Sequence, residues 1–317
     1  MARLVQQLVN GTVLGATIGL IALGYTMVYG IIQLINFAHG EIFMIGAFSG
    51  LYAYNHFIPE SLRQNPAVAL PLVMLAAVVA STVVAVLTER LAYRPLRNAP
   101  RLAPLITAIG VSIALQEAIR LFYPGGKNRQ SFPRIISSGG FHFGGGGPVG
   151  PDQAAGGVTI AWTSVFTVVT AVVLMLALEA FVNRTRLGKA MRATSQDPET
   201  ARLMGIDTDK VIVVAFILGG ALAGVAGVIQ GVRFTAIDFR IGFLAGIKAF
   251  TAAVLGGIGN IRGAVLGGFV IGMVEALATE YLPNGSAWKD VWAFVVLVVV
   301  LTFRPQGLLG EQVAVRS

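Results

Sequence analysis

Polar and ionisable side chains inside strongly apolar segments are the residues of this chain whose chemistry could serve a function. The segment INFAHGE places Asn36, His39 and Glu41 between the first two apolar stretches. Lys248 and Glu275 each lie within a later apolar stretch. Such groups are costly at membrane depth, and where they occur they mark pathways for substrates, ions or protons. We therefore take these five residues as candidates for a transport pathway or its gate.

The same residues have plainer interpretations, which the sequence leaves open. The three in INFAHGE lie at a boundary between apolar stretches, where a turn at the membrane interface needs no special chemistry. Lys248 and Glu275 could pair with each other, and no spacing in the sequence distinguishes a pair from a gate. A transporter that relays protons usually buries more carboxylates than these stretches contain.

The chain lacks the residue patterns of enzymes and metal proteins. It has no cysteine, and its three histidines show no metal-ligand spacing. The phosphate-binding pattern Gly-x4-Gly-Lys-Ser/Thr is absent, since the nearest stretch, LGKA at 187–190, lacks the upstream glycine and the hydroxyl. We expect no catalytic residue, no metal and no cofactor, and the chain is not equipped to hydrolyse ATP alone.

Composition indicates the elements that must position these side chains. The mean hydropathy is +0.76, 55% of the residues are hydrophobic and 12% are charged, which is typical of an all-α, polytopic membrane protein. The length would suit two soluble domains, but the hydropathy favours a single membrane domain over residues 1–317. The net charge of +8 comes from basic residues beside apolar stretches, so the lipid bilayer, and not nucleic acid, is the expected partner.

Nine stretches have the composition of membrane spans, for which about 20 apolar residues are needed. They are 9–31, 42–58, 67–88, 103–122, 160–182, 211–231, 243–260, 263–282 and 289–304. The first is too long for a cleavable signal sequence, so we expect a retained helix. The stretch 243–260 contains Lys248 and ends in GGIGN, so it could be a full span or a re-entrant piece buried in protein. We expect about eight transmembrane helices, with nine as the alternative.

Basic residues predict the orientation of the spans. The linker 90–101 holds four arginines and no acid, and the loop 184–210 holds six Lys/Arg, whereas the longer segment 123–159 holds three. Because Lys and Arg are enriched on the cytoplasmic side, the first two segments are expected inside the cell and 123–159 outside. This glycine-rich external segment is either a flexible connector or a surface for an external partner.

Glycines recur four residues apart within several spans, as in Gly11, Gly15 and Gly19, and again in Gly268 and Gly272. Small residues at this spacing let helix backbones approach closely, and close packing is how membrane helices associate. The pattern therefore predicts tight helix contacts, with broken helices that line a pathway as the alternative.

The loop 184–210 contains the start signal of a short helix. Asp197 can cap the helix and Pro198 suits its first position. The residues expected to contact a cytoplasmic partner are Asp197, Glu199, Ala201, Arg202, Leu203, Met204 and Gly205. Within that set, we expect the alanine and Gly205 to form a narrow face, the leucine and methionine to make apolar contacts, and the arginine to face acids or solvent. The alternative is an ordinary inner loop with a solvated run of charges.

Four motifs in order along the chain carry a resemblance to a known family. They are NFAHGEIFMIGAF (36–48), RTRLGKAMRATSQDPETARLMGI (184–206), AFTAAVLGGIGNIRGAVLGG (249–268) and FRPQGLLG (303–310). Together they resemble permeases of bacterial branched-chain amino acid ABC importers, and within that group the shorter, high-affinity Leu/Ile/Val permease subunit.

The resemblance implies a bacterial inner-membrane importer with defined partners. These are a second homologous permease subunit, two cytoplasmic ATPase subunits that hydrolyse the ATP, and a periplasmic substrate-binding protein. The stretch from Glu199 to Gly205 is similar to the coupling loop of such importers, Glu-Ala-Ala followed three residues later by Gly. It departs from that pattern by Thr200 and by the lack of a downstream Leu-Pro.

Two other functions stay open at this point. Similar permeases carry urea, short amides or other amino acids, and the external binding protein largely sets the cargo. An ion-coupled secondary transporter or a channel is a different class. Inverted repeats with paired broken helices would favour that class, and the sequence contains no convincing internal repeat.

Overall fold

The computed structural model describes residues 2–97, 99–100, 102–137, 139–143 and 157–310. The helices are α1 (Ala2–Ile32), α2 (His39–His56), α3 (Glu60–Arg63), α4 (Pro66–Thr88), α5 (Leu102–Phe122), α6 (Trp162–Arg184), α7 (Arg186–Gln196), α8 (Pro198–Leu203), α9 (Thr208–Phe234), α10 (Ile241–Gly256), α11 (Ile261–Tyr281) and α12 (Gly285–Phe303). Helix α4 continues as a π-helical turn (Glu89–Tyr93) and a 3-10 turn (Arg94–Leu96). The short strands are β1 (Gln130–Ser131), β2 (Gly140–Phe143), β3 (Val158–Ala161) and β4 (Ala236–Ile237).

Seven of these helices are long and apolar enough to cross a membrane. They are α1, α4 with its continuation to Leu96, α5, α6, α9, α11 and α12. The prediction of an all-α, polytopic membrane fold is therefore confirmed. Helices α1 and α9 form the centre of the bundle, since 78% of the most apolar window of α1 is buried, against 6% of that of α12.

The bundle has two distinct ends. At one end, called here the strand end, β1 pairs with β4 and β2 pairs with β3, both antiparallel. The start of α1 and the end of α11 also lie there, because Gln6 bonds to the backbone of Thr159 and Gln7 Nε2 donates to Glu280 Oε2 at 3.2 Å. The opposite end, the α8 end, carries α7 and α8.

Helix α10 is an apolar helix shorter than the seven that could cross a membrane. It follows β4 at the strand end, and its last turn accepts hydrogen bonds from the chain after α12, Leu308 N to Leu255 O at 2.8 Å and Leu309 N to Gly256 O at 2.9 Å. Helix α11 then begins close to the end of α1, where Gly259 adjoins Gly30. Helix α10 has 16 residues, and its second residue, Gly242, already adjoins the buried carboxylate of Glu41, so α10 begins inside the bundle and is shorter than the seven long helices.

Close glycine contacts join α1 to α11, as the spacing predicts. A β-carbon at Gly15 would lie 2.6 Å from Cα of Phe269, and one at Gly268 would lie 2.5 Å from Cα of Gly19. Each helix therefore presents a surface without side chains to the backbone of the other. The packing interpretation of these glycines is confirmed for this pair of helices.

Gly15→Ala is expected to lower the thermal stability of the protein, because the added methyl group would overlap backbone that cannot move aside. Overpacking of this kind costs about 1–3 kcal/mol. Gly19→Ala is the matched control, since its β-carbon would lie 3.4 Å from Val265, an ordinary contact. Thermal unfolding in detergent should separate the two variants, and equal melting temperatures would contradict the prediction.

Candidate functional site

The loop 184–210 contains the two helices α7 and α8, and a side chain caps the start of each. The hydroxyl of Thr185 accepts a hydrogen bond from Gly188 N at 3.0 Å and starts α7. Asp197 Oδ1 accepts from Glu199 N at 3.0 Å and from Thr200 N at 3.1 Å, and so starts α8. The helix begins where the sequence predicts, because an acceptor side chain satisfies N–H groups that have no partner within the helix.

The Asp197 cap is held in its charged form. The side-chain hydroxyl of Thr200, and then the backbone N–H groups of Thr200 and Glu199, donate to the carboxylate and hold the pKa of Asp197 below its usual range. A lowered pKa means that the capping carboxylate stays charged at neutral pH and weakens as a cap only when the pH falls through that pKa. The start of α8 is therefore fixed under physiological conditions.

Gly205 ends α8 by adopting a left-handed conformation, with φ of +82°. Gly205 N donates to Arg202 O at 3.0 Å, and Ile206 N donates to Ala201 O at 3.0 Å. These two bonds form a Schellman motif. Because Gly205 lies beyond the last helical residue, it does not share a helical face with Ala201, and that prediction is wrong.

Leu203 and Met204 project from the loop, with 87% and 78% of their surface exposed. Glu199 is also exposed, whereas Ala201 is buried against the bundle. Arg202 is exposed to solvent, one of the two surroundings expected for it, and its Nε also donates to Thr208 Oγ1 at 2.7 Å. The arginine therefore ties α8 to the start of α9 and leaves the leucine and methionine as an apolar knob at the end of the molecule.

A charged network that the sequence analysis missed connects the start of α9 to the end of α4. Arg97 Nη1 lies 2.5 Å from Asp209 Oδ1, and Arg94 Nη2 lies 3.0 Å from Asp209 Oδ2. Arg97 also pairs with Glu89, which is fully buried in the π-helical turn. The four arginines of 90–101 indicated an orientation, but the acid that pairs with Arg94 and Arg97 lies more than 100 residues away and no local pattern points to it.

Asn36, His39 and Glu41 are buried inside the bundle, each with 2% or less of its surface exposed. His39 packs on Gly24, and its ring centroid lies 4.7 Å from that of Tyr25. Gly24 lies eight residues before the end of α1, which is a depth of about 12 Å at the rise of an α-helix. The interpretation of this segment as an interfacial turn is therefore wrong.

Asn36 is fixed by the π-helical turn at the end of α4. Tyr93 OH lies 3.2 Å from Asn36 Oδ1 and 3.0 Å from the carbonyl oxygen of Ile35. Asn36 Oδ1 also accepts from Ala38 N at 3.1 Å. Through Tyr93, the segment before α2 is joined to the same turn that holds Glu89.

Glu41 lies at mid-depth between α2, α5 and α10. Its Oε1 accepts from Ser112 Oγ at 3.3 Å, and Ser112 is ten residues from either end of α5. Its Oε2, close to Gly242, has no hydrogen-bond partner in the described part of the chain. A serine in the centre of an apolar helix was the signal in the sequence that could have identified this contact.

Lys248 and Glu275 lie in a second group of charges, between α10, α11 and α12. Lys248 Nζ lies 3.0 Å from Glu275 Oε1 and 2.6 Å from Asp290 Oδ1, and Lys289 Nζ lies 3.6 Å from Glu275 Oε1. The structure therefore favours the pairing interpretation of these two residues. It divides the five pathway candidates into two groups with different surroundings.

The chain is similar over most of its length to a family of known proteins. The family described as "Branched-chain amino acid transport system / permease component" matches residues 7–301. The chain is 45% identical over 310 residues to the high-affinity branched-chain amino acid transport system permease protein BraD of Pseudomonas aeruginosa, a match that covers 96% of this chain and 95% of that protein. It is 43% identical to LivH of Escherichia coli, with the same coverage.

Two more distant matches complete the comparison. The chain is 34% identical over 137 residues to the autoinducer 2 import system permease protein LsrC of Yersinia pestis, which covers 41% of this chain and 38% of that protein. Among solved structures, PsaBC from Streptococcus pneumoniae in complex with Fab aligns over 94% of this chain and 91% of that chain, with a TM-score of 0.48 and 11% identity. On the extent of the family match and of the first two relatives, the chain belongs to the permease components of branched-chain amino acid transport systems.

Proposed function

We propose that the chain is the transmembrane permease subunit of an ATP-binding-cassette importer that moves the branched-chain amino acids Leu, Ile and Val into the cytoplasm. The relatives BraD and LivH are high-affinity branched-chain amino acid permeases, and this is the cargo we assign. ATP is hydrolysed on two separate cytoplasmic ATPase subunits. A second homologous permease subunit completes the membrane part, in the inner membrane of a bacterial cell.

The observation that carries this proposal is the apolar knob on α8. Leu203 and Met204 are exposed at the tip of a short helix that is capped at both ends and tied back to the bundle. A monomeric protein gains nothing by holding two large apolar side chains rigidly in water, whereas a partner with an apolar cleft would bury them. We assign that cleft to an ATPase subunit, which places the α8 end in the cytoplasm.

The connections of α8 supply a route for movement. The carboxylate of Asp207 caps α9 by accepting from Lys210 N at 3.0 Å, and Asp209 joins α9 to the end of α4 through Arg97. Tyr93 then joins α4 to Asn36 in the segment that leads to Glu41. When the ATPase subunits close on ATP, a displacement of α8 would shift these elements together and open or close the pathway. Asn36, His39 and Glu41 remain our candidates for its lining or gate.

The strand end is proposed to face the periplasm and the substrate-binding protein. In the described part of the segment 123–159, β2 and β3 pair antiparallel, and Phe141 and Phe143 on β2 are largely exposed. The ring of Phe141 packs on Trp162 at 4.7 Å. Residues 138 and 144–156 of the predicted partner surface lie outside the described residues. The exposed aromatic rings of β2 are suited to a protein contact.

Reconstitution into liposomes tests the function. The chain is combined with the second permease, the ATPase subunits and the binding protein, and uptake of radiolabelled L-leucine is measured. We expect leucine uptake to require ATP on the side of the membrane where the ATPase subunits lie. Unlabelled isoleucine and valine should reduce this uptake by competition. Competition by urea or a short amide instead would change the assigned cargo. Uptake driven by an ion gradient without ATP would overturn the importer class.

Gly205→Ala is expected to reduce ATP-driven uptake several-fold without loss of the protein from the membrane. A β-carbon at Gly205 meets nothing within 4 Å, so the change acts only through the φ of +82°, which costs an L-residue about 1–2 kcal/mol. Gly205→Asn is the matched control, because asparagine tolerates the left-handed region better. Uptake is measured in the reconstituted system, and equal loss in both variants would show that the end of α8 is not what matters.

A further inference from the structure

A cavity of about 460 Å³ lies between α5 and α10, beside Glu41. Its volume is within the range of small-molecule sites, about 300–1,000 Å³. Ile109, Ile113 and Leu244 form an apolar wall, while Ser112, Gln116 and Arg240 contribute polar groups. Because Ser112 is the central residue of α5, the polar part of the cavity reaches the middle of the membrane.

An acidic group lies directly behind this wall. Glu41 is 1% exposed, and its Oε2 has no partner among the residues that the structure describes. A buried carboxylate without a partner costs several kcal/mol unless it is neutralised or paired. The carboxylate packs against Gly242 and reaches the cavity lining through Ser112, so its negative charge favours a positively charged ligand group in the cavity.

Ser112 links the carboxylate of Glu41 to the cavity. Its hydroxyl donates its one proton to Glu41 Oε1 at 3.3 Å, which leaves Oγ as an acceptor toward the cavity that it lines. An ammonium group is a donor only, with no acceptor of its own. The Glu41–Ser112 pair is therefore arranged to receive an ammonium group and to reject a carboxylate.

Arg240 supplies the opposite charge in the same cavity. Its guanidinium lies over the ring of Phe239, 5.2 Å from the centroid. None of the ion pairs within the described ranges involves it. A guanidinium without an acidic partner is suited to bind a carboxylate through two parallel hydrogen bonds. The cavity thus combines an acceptor for a cation, a donor for an anion and an aliphatic wall.

We propose that this cavity binds an aliphatic α-amino acid on its way through the membrane. Ser112, backed by Glu41, receives the α-ammonium group, Arg240 receives the α-carboxylate, and Ile109, Ile113 and Leu244 contact the side chain. The proposal rests on the function proposed above and adds a site to it. A simple cation does not account for the arginine or for the apolar wall, and a lipid acyl chain does not account for the carboxylate.

The absence of cysteine allows a direct test in the assembled transporter in membranes. Ile113→Cys places a thiol in the cavity, and its rate of modification by the cationic reagent aminoethyl methanethiosulfonate is read on this chain by mass spectrometry. We expect L-leucine to slow the reaction about tenfold, isoamylamine to slow it less, and 4-methylpentanoate, which lacks the ammonium group, to leave it unchanged. Val173→Cys, which is equally exposed at 56% but lies on α6, is the control and should respond to none of them.

Glu41→Gln in the Ile113→Cys background should lower the preference for the cationic over the anionic sulfonatoethyl reagent about tenfold and remove the protection by leucine. Ser112→Ala is the second variant if Glu41→Gln does not reach the membrane. Equal protection by leucine and 4-methylpentanoate, or an unchanged preference in both variants, would overturn the site. Leucine uptake by the parent protein without any protection would overturn the site but leave the proposed function intact, whereas protection without ATP-driven uptake would do the reverse.

Discussion

Replacement of both Leu203 and Met204 by aspartate is expected to abolish ATP-driven leucine uptake and to detach the ATPase subunits from the membrane. Both side chains are almost fully exposed in this chain, and in the proposed assembly they are the apolar anchors of the contact. A central anchor residue of a protein interface contributes about 2 kcal/mol or more, a factor of about 30 in affinity. Two added carboxylates would also have to be desolvated in the same cleft.

The measurement is the amount of ATPase subunit that co-purifies with this chain, together with uptake in liposomes. Leu187→Asp is the control, because it places an aspartate at an exposed leucine of α7 in the same loop. We expect the control to retain both co-purification and uptake. Intact co-purification of the double variant would show that α8 is not the docking element.

Glu275→Ala is expected to lower the free energy of unfolding by about 3–5 kcal/mol, the loss that follows when one partner of a buried ion pair is removed. Glu275 is 4% exposed and is contacted by Lys248 and Lys289. Without its carboxylate, Lys248 and Lys289 would lose the acid they share, and the half-exposed Asp290 would be the acid left in this group of described residues.

Thermal or chemical unfolding in detergent gives this quantity. Glu280→Ala, one turn farther along α11 at an exposed position, should change stability by no more than about 0.5 kcal/mol. Replacement of both Glu275 and Lys248 by apolar residues of similar size should recover part of the loss, since the uncompensated charge is then removed. A loss in Glu275→Ala no larger than in the control would mean that the cluster is a gate held open to water.

The start of α8 and the glycine contacts could be predicted from sequence because each depends on residues close together in the chain. The Asp197 cap involves only the next three residues, and the four-residue glycine spacing follows from the period of the helix. Whether Ala201 and Gly205 share a helical face could not be predicted in the same way. Gly205 can either continue a helix or end it in a left-handed turn, and the choice depends on bonds made after the loop closes.

The depth of the pathway candidates Asn36, His39 and Glu41 could not be predicted from the sequence. Their position between two apolar stretches predicted an interfacial turn, yet His39 lies beside Gly24, well inside the bundle. The depth of the segment depends on how the chain folds back along α1 and on Tyr93, which holds Asn36 from 57 residues away. Hydropathy averages over such a segment and does not register where its neighbours place it.

The sequence by itself determined the class of protein, the apolar spans, the short helix in the charged loop and the family to which the chain belongs. Each of these follows from composition, from local capping chemistry or from motifs that are continuous in the chain. Only the tertiary structure decided which charges are paired and which are not. It placed Glu275 among lysines and, within the residues that the structure describes, left one oxygen of Glu41 without a hydrogen-bond partner. The partners of a buried charge come from helices that are distant in sequence and adjacent in space.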